Sequence, residues 1–227
     1  MKNICIIPAR GGSKRIPRKN IKDFLGKPII AYSIEAALKS ELFDEVMVST
    51  DDEEIAAIAR QYGASVPFMR SAETANDYAT TADVLLEVLA KYCEMGRKFE
   101  NLCCLYATAP FVKAERLREC YNLMQGDIDS AFTIVEYSYP IQRSLVTDGK
   151  LIRLAYLEHK NSRSQDLQKH YHDAGQFYFS TIKNLEENQF LWGEHTAPLI
   201  LSELEVQDLD TMTDWKLAEM KYMLLHE

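Results

Sequence analysis

The chain has 227 residues, of which 47% are hydrophobic and 26% charged, and its formal net charge is −8. This composition predicts one globular domain over residues 1–227 and excludes a disordered chain. The negative charge argues against general nucleic-acid binding, and no apolar run reaches the ~20 residues that a membrane span needs.

Two features predict a cytoplasmic protein. The segment Met1 to Pro8 has the pattern of a strand and lacks the long apolar region and cleavage site of a secretory signal peptide. The five cysteines form no Cys-x-x-Cys pair, and most of them lie in apolar runs. That placement favours reduced thiols in a core over a metal site or a set of disulfides.

Strand and helix signals alternate along most of the chain. The predicted strands cover residues 3–7, 45–49, 65–68, 102–106, 130–135 and 174–179. Apolar residues at helical spacing predict helices near 30–38, 55–62, 85–92 and 113–124, and a closing helix at 211–225. This order predicts an α/β fold with a mostly parallel sheet and helices on both faces.

The segment 137–171 breaks the alternation. It is rich in polar and aromatic residues and shows no clear periodicity. Because so long an irregular stretch is unusual in a compact domain, we predict a substrate lid or an arm that pairs with a second subunit.

Basic residues are concentrated near the N-terminus. Residues 2–27 hold eight basic side chains and one acidic one, whereas the rest of the chain holds 18 basic and 33 acidic. The segment thus carries +7 and the remainder −15. Such an island suits a small polyanion such as a nucleoside triphosphate, and a solvated basic loop is the alternative.

The strongest motif, Ile-Pro-Ala-Arg-Gly-Gly-Ser-Lys-Arg-Ile-Pro-Arg-Lys-Asn, covers residues 7–20 and directly follows the first strand. Backbone N–H groups around Gly11 and Ser13 can approach a phosphate, and Arg10, Lys14 and Lys19 add positive charge. The spacing is neither that of a P-loop nor that of a dinucleotide fingerprint, which argues against a nicotinamide oxidoreductase.

Taken whole, this motif resembles the signature of the CMP-sialic acid synthetase family of cytidylyltransferases, and the similarity runs the length of the chain. The resemblance implies a Rossmann-like fold of the nucleotide-diphospho-sugar transferase type, a homodimer, and Mg²⁺ as cofactor. The implied reaction transfers CMP from CTP to the C2 hydroxyl of a nine-carbon nonulosonic acid for surface glycan or flagellin glycosylation, and it releases pyrophosphate.

The resemblance also assigns roles to single residues. Arg10 and Lys19 match residues that hold the triphosphate, and the residues matched to the nucleotide site are Asn20, Arg70, Thr80 and Thr81. Thr108 lies in a segment that matches the family's Gln-Pro-Thr-Ser-Pro and is assigned to substrate binding. Two simpler interpretations stay open: Arg70 pairs with a nearby carboxylate, and Thr81 only caps a helix. The family's glutamine contact to the sugar is replaced by Tyr106.

Asp208 and Asp210 resemble the metal-binding aspartates of the family. Alternate residues of an extended segment point the same way, and carboxylate oxygens suit Mg²⁺. The alternative is a cluster that caps the helix beginning near Thr211.

A third segment is matched to the sugar. Arg163 and Gln165 are assigned to its carboxylate, and His172 and Gln176 to its substituents; His172 is also a candidate base. The departures from the sialic acid pattern here look like the branch that acts on pseudaminic acid. N-acetylneuraminic acid, legionaminic acid and a non-catalytic nucleotide-binding regulator stay as alternatives.

Overall fold

The computed structural model describes residues 2–226, and a central sheet lies between helices on both of its faces. The strands are β1 (Asn3–Pro8), β2 (Asp23–Phe24), β3 (Lys27–Pro28), β4 (Glu45–Ser49), β5 (Asn101–Leu105), β6 (Ser130–Glu136), β7 (Leu145–Thr147), β8 (Ile152–Leu154), β9 (Tyr171–Thr181) and β10 (Thr196–Leu201). The helices are α1 (Ile29–Ser40), α2 (Glu53–Gln61), α3 (Ala72–Ala75), α4 (Thr81–Glu94), α5 (Ala114–Tyr121), α6 (Ile182–Asn188) and α7 (Met212–Leu224). None of these helices is both long and apolar enough to span a bilayer.

The sheet has the strand order β10-β6-β9-β5-β1-β4. Strands β4, β1 and β5 are parallel to one another, as are β6 and β10, and β9 runs antiparallel between β5 and β6. The predicted mostly parallel α/β sheet is confirmed. The carboxyl ends of β1, β4 and β5 therefore meet at one edge, where ligands of such sheets bind.

Alternation along β1 supplies both faces of the core. Cys5 and Ile7 pack with α1, α2 and α5 on one face, whereas Ile4 and Ile6 pack with α4 and α6 on the other. All four of these strand residues are fully buried. A separate aromatic cluster around Phe24 and Trp215 attaches α7 to the β2–β3 hairpin and α1.

Some elements differ from the prediction. The strand predicted at 65–68 is wrong: only Ser65 pairs, in a single bridge to Met47, because Pro67 has no N–H to continue a ladder. Strand β10 and helices α3 and α6 were not predicted. Four of the five cysteines are buried as predicted, whereas Cys93 is exposed.

The segment 137–171 contains the β7–β8 hairpin and short helical turns in place of one regular element. Its apolar side chains are unusually exposed, with Leu151 at 74% and Ile152 at 71%.

Candidate active site

A cleft of about 530 Å³ opens at the carboxyl ends of β1 and β5. Pro8 ends β1, and Tyr106 and Thr108 follow β5, so both strands contribute to its wall. The structure brings nine of the predicted site residues to this cleft: Arg10, Ser13, Lys14, Lys19, Asn20, Arg70, Thr80, Thr81 and Thr108. These residues come from distant parts of the sequence, and the parallel strand ends explain why they converge.

The basic loop is anchored on the turn between β4 and α2. The Gly11 amide donates to Asp51 Oδ1 at 2.9 Å, and Arg18 binds Asp52 and Glu54. A Cβ on Gly11 would lie 2.8 Å from Asp52 Oδ2, so a larger residue there would force the loop away from α2. The glycine therefore permits a close approach that fixes the loop's position.

Three cations of the loop are paired with acidic side chains. Arg10 and Lys14 both bind Asp77, at 2.7 and 2.5 Å, and Arg15 binds Asp210 at 2.5 Å. Hydrogen bonds from Lys14 and then Arg10 lower the pKa of the Asp77 carboxyl. Sequence reasoning missed Asp77 as a partner. A polyanion entering the cleft would compete with this carboxylate for the same donors.

Lys19 and Arg70 lie deeper in the cleft. Lys19 Nζ donates to the Leu209 carbonyl at 2.8 Å, and Arg70 donates to the Ser49 carbonyl and hydroxyl at 2.6 and 3.1 Å. Burial lowers the pKa of both groups. Since Ser49 ends β4, Arg70 is held by the strand end, which argues against the simpler interpretation of a carboxylate pair.

Thr80, Thr81 and Asn20 have different local roles. Thr80 is the N-cap of α4 and forms a capping box with Asp83, whereas Thr81 is the first helical residue and lines the cleft. The cap is therefore Thr80, and the Thr81 side chain is available to the cleft. Asn20 Nδ2 donates to the Arg10 carbonyl at 2.9 Å and so holds the loop's curvature.

Asp208 and Asp210 flank buried Leu209 on an extended segment beside the cleft. Thr211 and Asp214 form the capping box of α7, so capping does not account for the two aspartates. Both carboxylates act electrostatically on Lys19. Residues 2–226 contain no cluster of three or more metal-binding side chains. A carboxylate pair nevertheless fits Mg²⁺, which takes its other ligands from water and substrate phosphates.

Among the residues predicted to bind the sugar, Arg163, Gln165 and His172 do not line the cleft of their own chain. Arg163 is exposed and binds Asp166 at 2.7 Å, and Gln165 lines a separate hollow near His170. His172 is exposed and packs against the Tyr137 ring at 4.8 Å.

Gln176, which was also predicted to bind the sugar, does not line the cleft either. Its side chain is only 5% exposed, and Nε2 binds the Glu205 carbonyl. The register of β9 against β6 shifts beside it, and Gly175 adopts a φ of +64°. This bulge sets the direction of the side chain, which period-2 alternation alone could not predict.

Comparison with known proteins identifies the family. Residues 4–180 match the cytidylyltransferase family model. The chain belongs to the cytidylyltransferase family. A pseudaminic acid cytidylyltransferase of Campylobacter jejuni is 45% identical over 100% of this chain and 99% of that protein. The CMP-N,N'-diacetyllegionaminic acid synthase of Legionella pneumophila is 36% identical over 100% of this chain and 98% of that protein.

Solved structures show that the fold is shared with more distant cytidylyltransferases. A CMP:2-keto-3-deoxy-manno-octonic acid synthetase complexed with CTP superposes with a TM-score of 0.70 at 19% identity, covering 100% of this chain and 99% of that one. This likeness confirms the predicted Rossmann-like architecture.

The stability of this cytidylyltransferase is expected to fall in acid. The hydrogen bond from Arg18 lowers the pKa of Asp52 to about 2. Burial raises the pKa of Glu87, but hydrogen bonds from Lys91, Thr74 and the Ser71 amide outweigh it, and the Glu87 pKa falls to about 2. Both carboxylates therefore stabilise the fold above their unfolded pKa of about 4, and that stability is lost as the pH falls towards 2. Allowing for solvent screening, each contributes about 1 kcal/mol.

Urea unfolding between pH 6 and pH 2 measures this effect. The free energy of unfolding should fall less steeply with pH in Asp52→Asn than in wild type. An equally steep fall would show that Asp52 does not contribute to the acid sensitivity.

Proposed function

We propose that this chain transfers CMP from CTP to the C2 hydroxyl of a nonulosonic acid, with pseudaminic acid as the preferred acceptor. The observation that carries the proposal is the convergence of Arg10, Lys14, Lys19 and Arg70 on one cleft at the carboxyl ends of parallel strands. The full-length similarity to enzymes named for pseudaminic and legionaminic acid supports the acceptor class.

The reaction requires positioning and charge neutralisation more than a covalent intermediate. The sugar hydroxyl attacks the α-phosphate, and pyrophosphate leaves. Arg10 and Lys19 bind the leaving β- and γ-phosphates and neutralise the charge that develops on them. For that role Arg10 and Lys14 exchange Asp77 for phosphate oxygens, while Asn20 and Asp51 keep the loop in place.

Asp208 and Asp210 would hold Mg²⁺, which supplies Lewis-acid polarisation of the phosphate oxygens when bound. Arg15, which binds Asp210, would then become available to the phosphates. Arg70 and Thr81, which also line the cleft, would contact the nucleoside.

We expect pseudaminic acid to be used with a kcat/KM roughly 10²–10⁴-fold higher than that for N-acetylneuraminic acid. The two sugars share the carboxylate and the C2 nucleophile, so the loop cations cannot distinguish them. The residues around Tyr106 in the cleft wall must therefore distinguish the two sugars, because the Gln176 side chain is hydrogen-bonded to the Glu205 carbonyl.

Steady-state assays with both sugars, followed by mass spectrometry of the CMP-sugar, test this preference. Higher kcat/KM with N-acetylneuraminic acid would overturn the acceptor assignment and leave the cytidylyltransferase reaction intact.

A homodimer built on the segment 137–171 is also expected. Leu145, Leu151, Ile152 and Leu157 are 58–74% exposed on or beside the β7–β8 hairpin, and such an apolar surface is typical of an interface. The same segment carries Arg163 and Gln165, which do not reach the cleft of their own chain. A second copy would allow them to act at the partner's cleft.

Sedimentation of wild type and Ile152→Glu tests the dimer. The variant should be monomeric and less active. Its thermal midpoint should not change, because Ile152 is 71% exposed and packs little against the core. Lys150→Glu, at the turn of the same hairpin, is the matched control and should stay dimeric. A wild-type monomer with full activity would contradict the prediction.

A further inference from the structure

The basic loop contains an arginine, Arg18, that does not line the cleft. Its side chain binds the turn between β4 and α2, where Nη1 and Nη2 donate to the two carboxylate oxygens of Asp52 at 2.5 and 3.0 Å. Nη2 also donates to Glu54 Oε2 at 2.5 Å. A planar guanidinium that bonds a carboxylate at two points fixes direction as well as distance. These ion pairs therefore hold the loop in one orientation on α2.

Asp52, the main partner of Arg18, is itself held by the helix. It is the N-cap of α2, and its Oδ1 accepts from the amides of Glu54 and Ile55 at 3.0 Å each. The carboxylate thus bonds the backbone of the first helical turn on one side and the guanidinium on the other. Through this single side chain, Arg18 is connected to the backbone of α2.

The backbone at Arg18 forms a tight turn. Arg18 lies in the left-handed region, with φ +56° and ψ +30°, which residues with a Cβ adopt only where surrounding contacts hold them. The Lys19 amide donates to the Ile16 carbonyl at 3.2 Å, and the Ile21 amide donates to the Arg18 carbonyl at 3.0 Å. Ile16 is fully buried in the aromatic cluster that attaches α7. Buried Ile16 and the Arg18 ion pairs therefore hold the turn together.

Lys19 follows Arg18 directly, and its side chain enters the cleft. Lys19 Nζ donates to the Leu209 carbonyl at 2.8 Å, whereas the Arg18 side chain binds α2. Neighbouring residues of one tight turn share a rigid backbone. A movement of the turn away from α2 would therefore move Lys19 Nζ within the cleft as well.

We propose that Arg18 is a positioning residue that acts through Lys19. Its ion pairs with Asp52 and Glu54 fix the turn that places Lys19 Nζ against the triphosphate. The inference rests on the proposed function, which gives Lys19 its role, and it adds a residue outside the cleft to those on which the reaction depends.

The test measures kcat at saturating CTP and nonulosonic acid, together with the thermal midpoint. Arg18→Gln should lower kcat by roughly 10–10²-fold, because displacing a reacting group by about 1 Å has an effect of that size. Arg18→Lys keeps the charge without the two-point geometry and should recover part of the loss. An unchanged kcat in Arg18→Gln would overturn the proposal.

Arg118→Gln is the matched control. The Arg118 side chain is 42% exposed, against 39% for Arg18, and it binds the Glu115 carboxylate as well as two backbone carbonyls. Arg118 belongs to α5 and does not line the cleft. Its loss should lower the thermal midpoint about as much as Arg18→Gln does and leave kcat unchanged. An equal fall of kcat in both variants would mean that the effect of Arg18 is only structural.

A double variant with Lys19→Ala separates action through Lys19 from other effects. Once Lys19 is alanine, Arg18→Gln should lower kcat by less than about 3-fold further, because there is no ammonium left to position. If the two single effects multiplied in full, Arg18 would act independently of Lys19 and the proposal would be wrong.

Calorimetric titration with CTP alone tests the same link without turnover. Arg18→Gln and Lys19→Ala should each weaken CTP binding by about 10-fold, as expected when one charged hydrogen bond is lost. The double variant should bind CTP no more weakly than Lys19→Ala, and wild-type affinity in Arg18→Gln would contradict the proposal. A wild-type protein that bound CTP but turned over no nonulosonic acid would overturn the proposed function, and the titration would still decide the role of Arg18.

Discussion

Replacing Lys19 with alanine is expected to lower kcat by about 10²–10³-fold, the usual loss when one donor to developing charge is removed. Lys19 Nζ lies in the cleft between the basic loop and the segment that carries Asp208 and Asp210. Its hydrogen bond to the Leu209 carbonyl has a charged, half-buried donor and contributes about 1.5 kcal/mol to the fold. The expected increase in the barrier is about 2.7–4 kcal/mol, so the effect on catalysis exceeds the effect on stability.

The measurement is kcat at saturating CTP, alongside the thermal midpoint. Arg10→Ala should behave in the same way, because the partners of the Arg10 side chain are exposed: the Asp77 carboxylate and the Asn76 carbonyl. Lys183→Ala changes a lysine that is 80% exposed on α6 and should leave kcat unchanged. Near wild-type kcat in Lys19→Ala would rule out the role given to Lys19.

The second large effect is expected at the aspartate pair. Asp210→Asn should raise the Mg²⁺ concentration needed for half-maximal turnover and lower kcat by about 10²-fold, because one of the two carboxylates proposed to hold Mg²⁺ is lost. Asp208→Asn should act similarly. Excess EDTA should abolish turnover of the wild-type protein, and added Mg²⁺ should restore it.

Asp214→Asn is the matched control for these variants. Asp214 belongs to the capping box of α7 and accepts a hydrogen bond from the Asp210 amide at 3.1 Å, and an asparagine oxygen can still accept both bonds, so the change should lower the thermal midpoint only slightly. The Mg²⁺ dependence should not change. If Asp214→Asn altered that dependence as strongly as Asp210→Asn did, the two aspartates would be structural and the metal assignment would be wrong.

The sequence predicted the parts of the site that a continuous motif or one strand end determines. The loop over residues 7–20 directly follows β1, and the carboxyl end of a parallel strand is where such sheets bind ligands. Arg70 and Thr81 were placed at the nucleotide by family resemblance, and both line the cleft.

Features that depend on local irregularity or on long-range pairing could not be predicted. The bulge at Gly175 redirects Gln176 towards Glu205, and nothing in the alternation of β9 signals it. Asp77 lies 67 residues from Arg10, and only the folded chain shows that they pair. Strand β10 was missed because Pro198 interrupts its apolar pattern. Since β10 is an edge strand, it tolerates this proline.

The most direct test of the proposed reaction is pyrophosphate release by the purified full-length protein given Mg²⁺ and pseudaminic acid. With CTP, pyrophosphate and a CMP-sugar should appear in equal amounts, and omitting the sugar should stop both. With ATP, turnover should be near background. Equal turnover with ATP, or pyrophosphate release without any nonulosonic acid, would contradict the assignment as a CTP-dependent sugar-acid cytidylyltransferase.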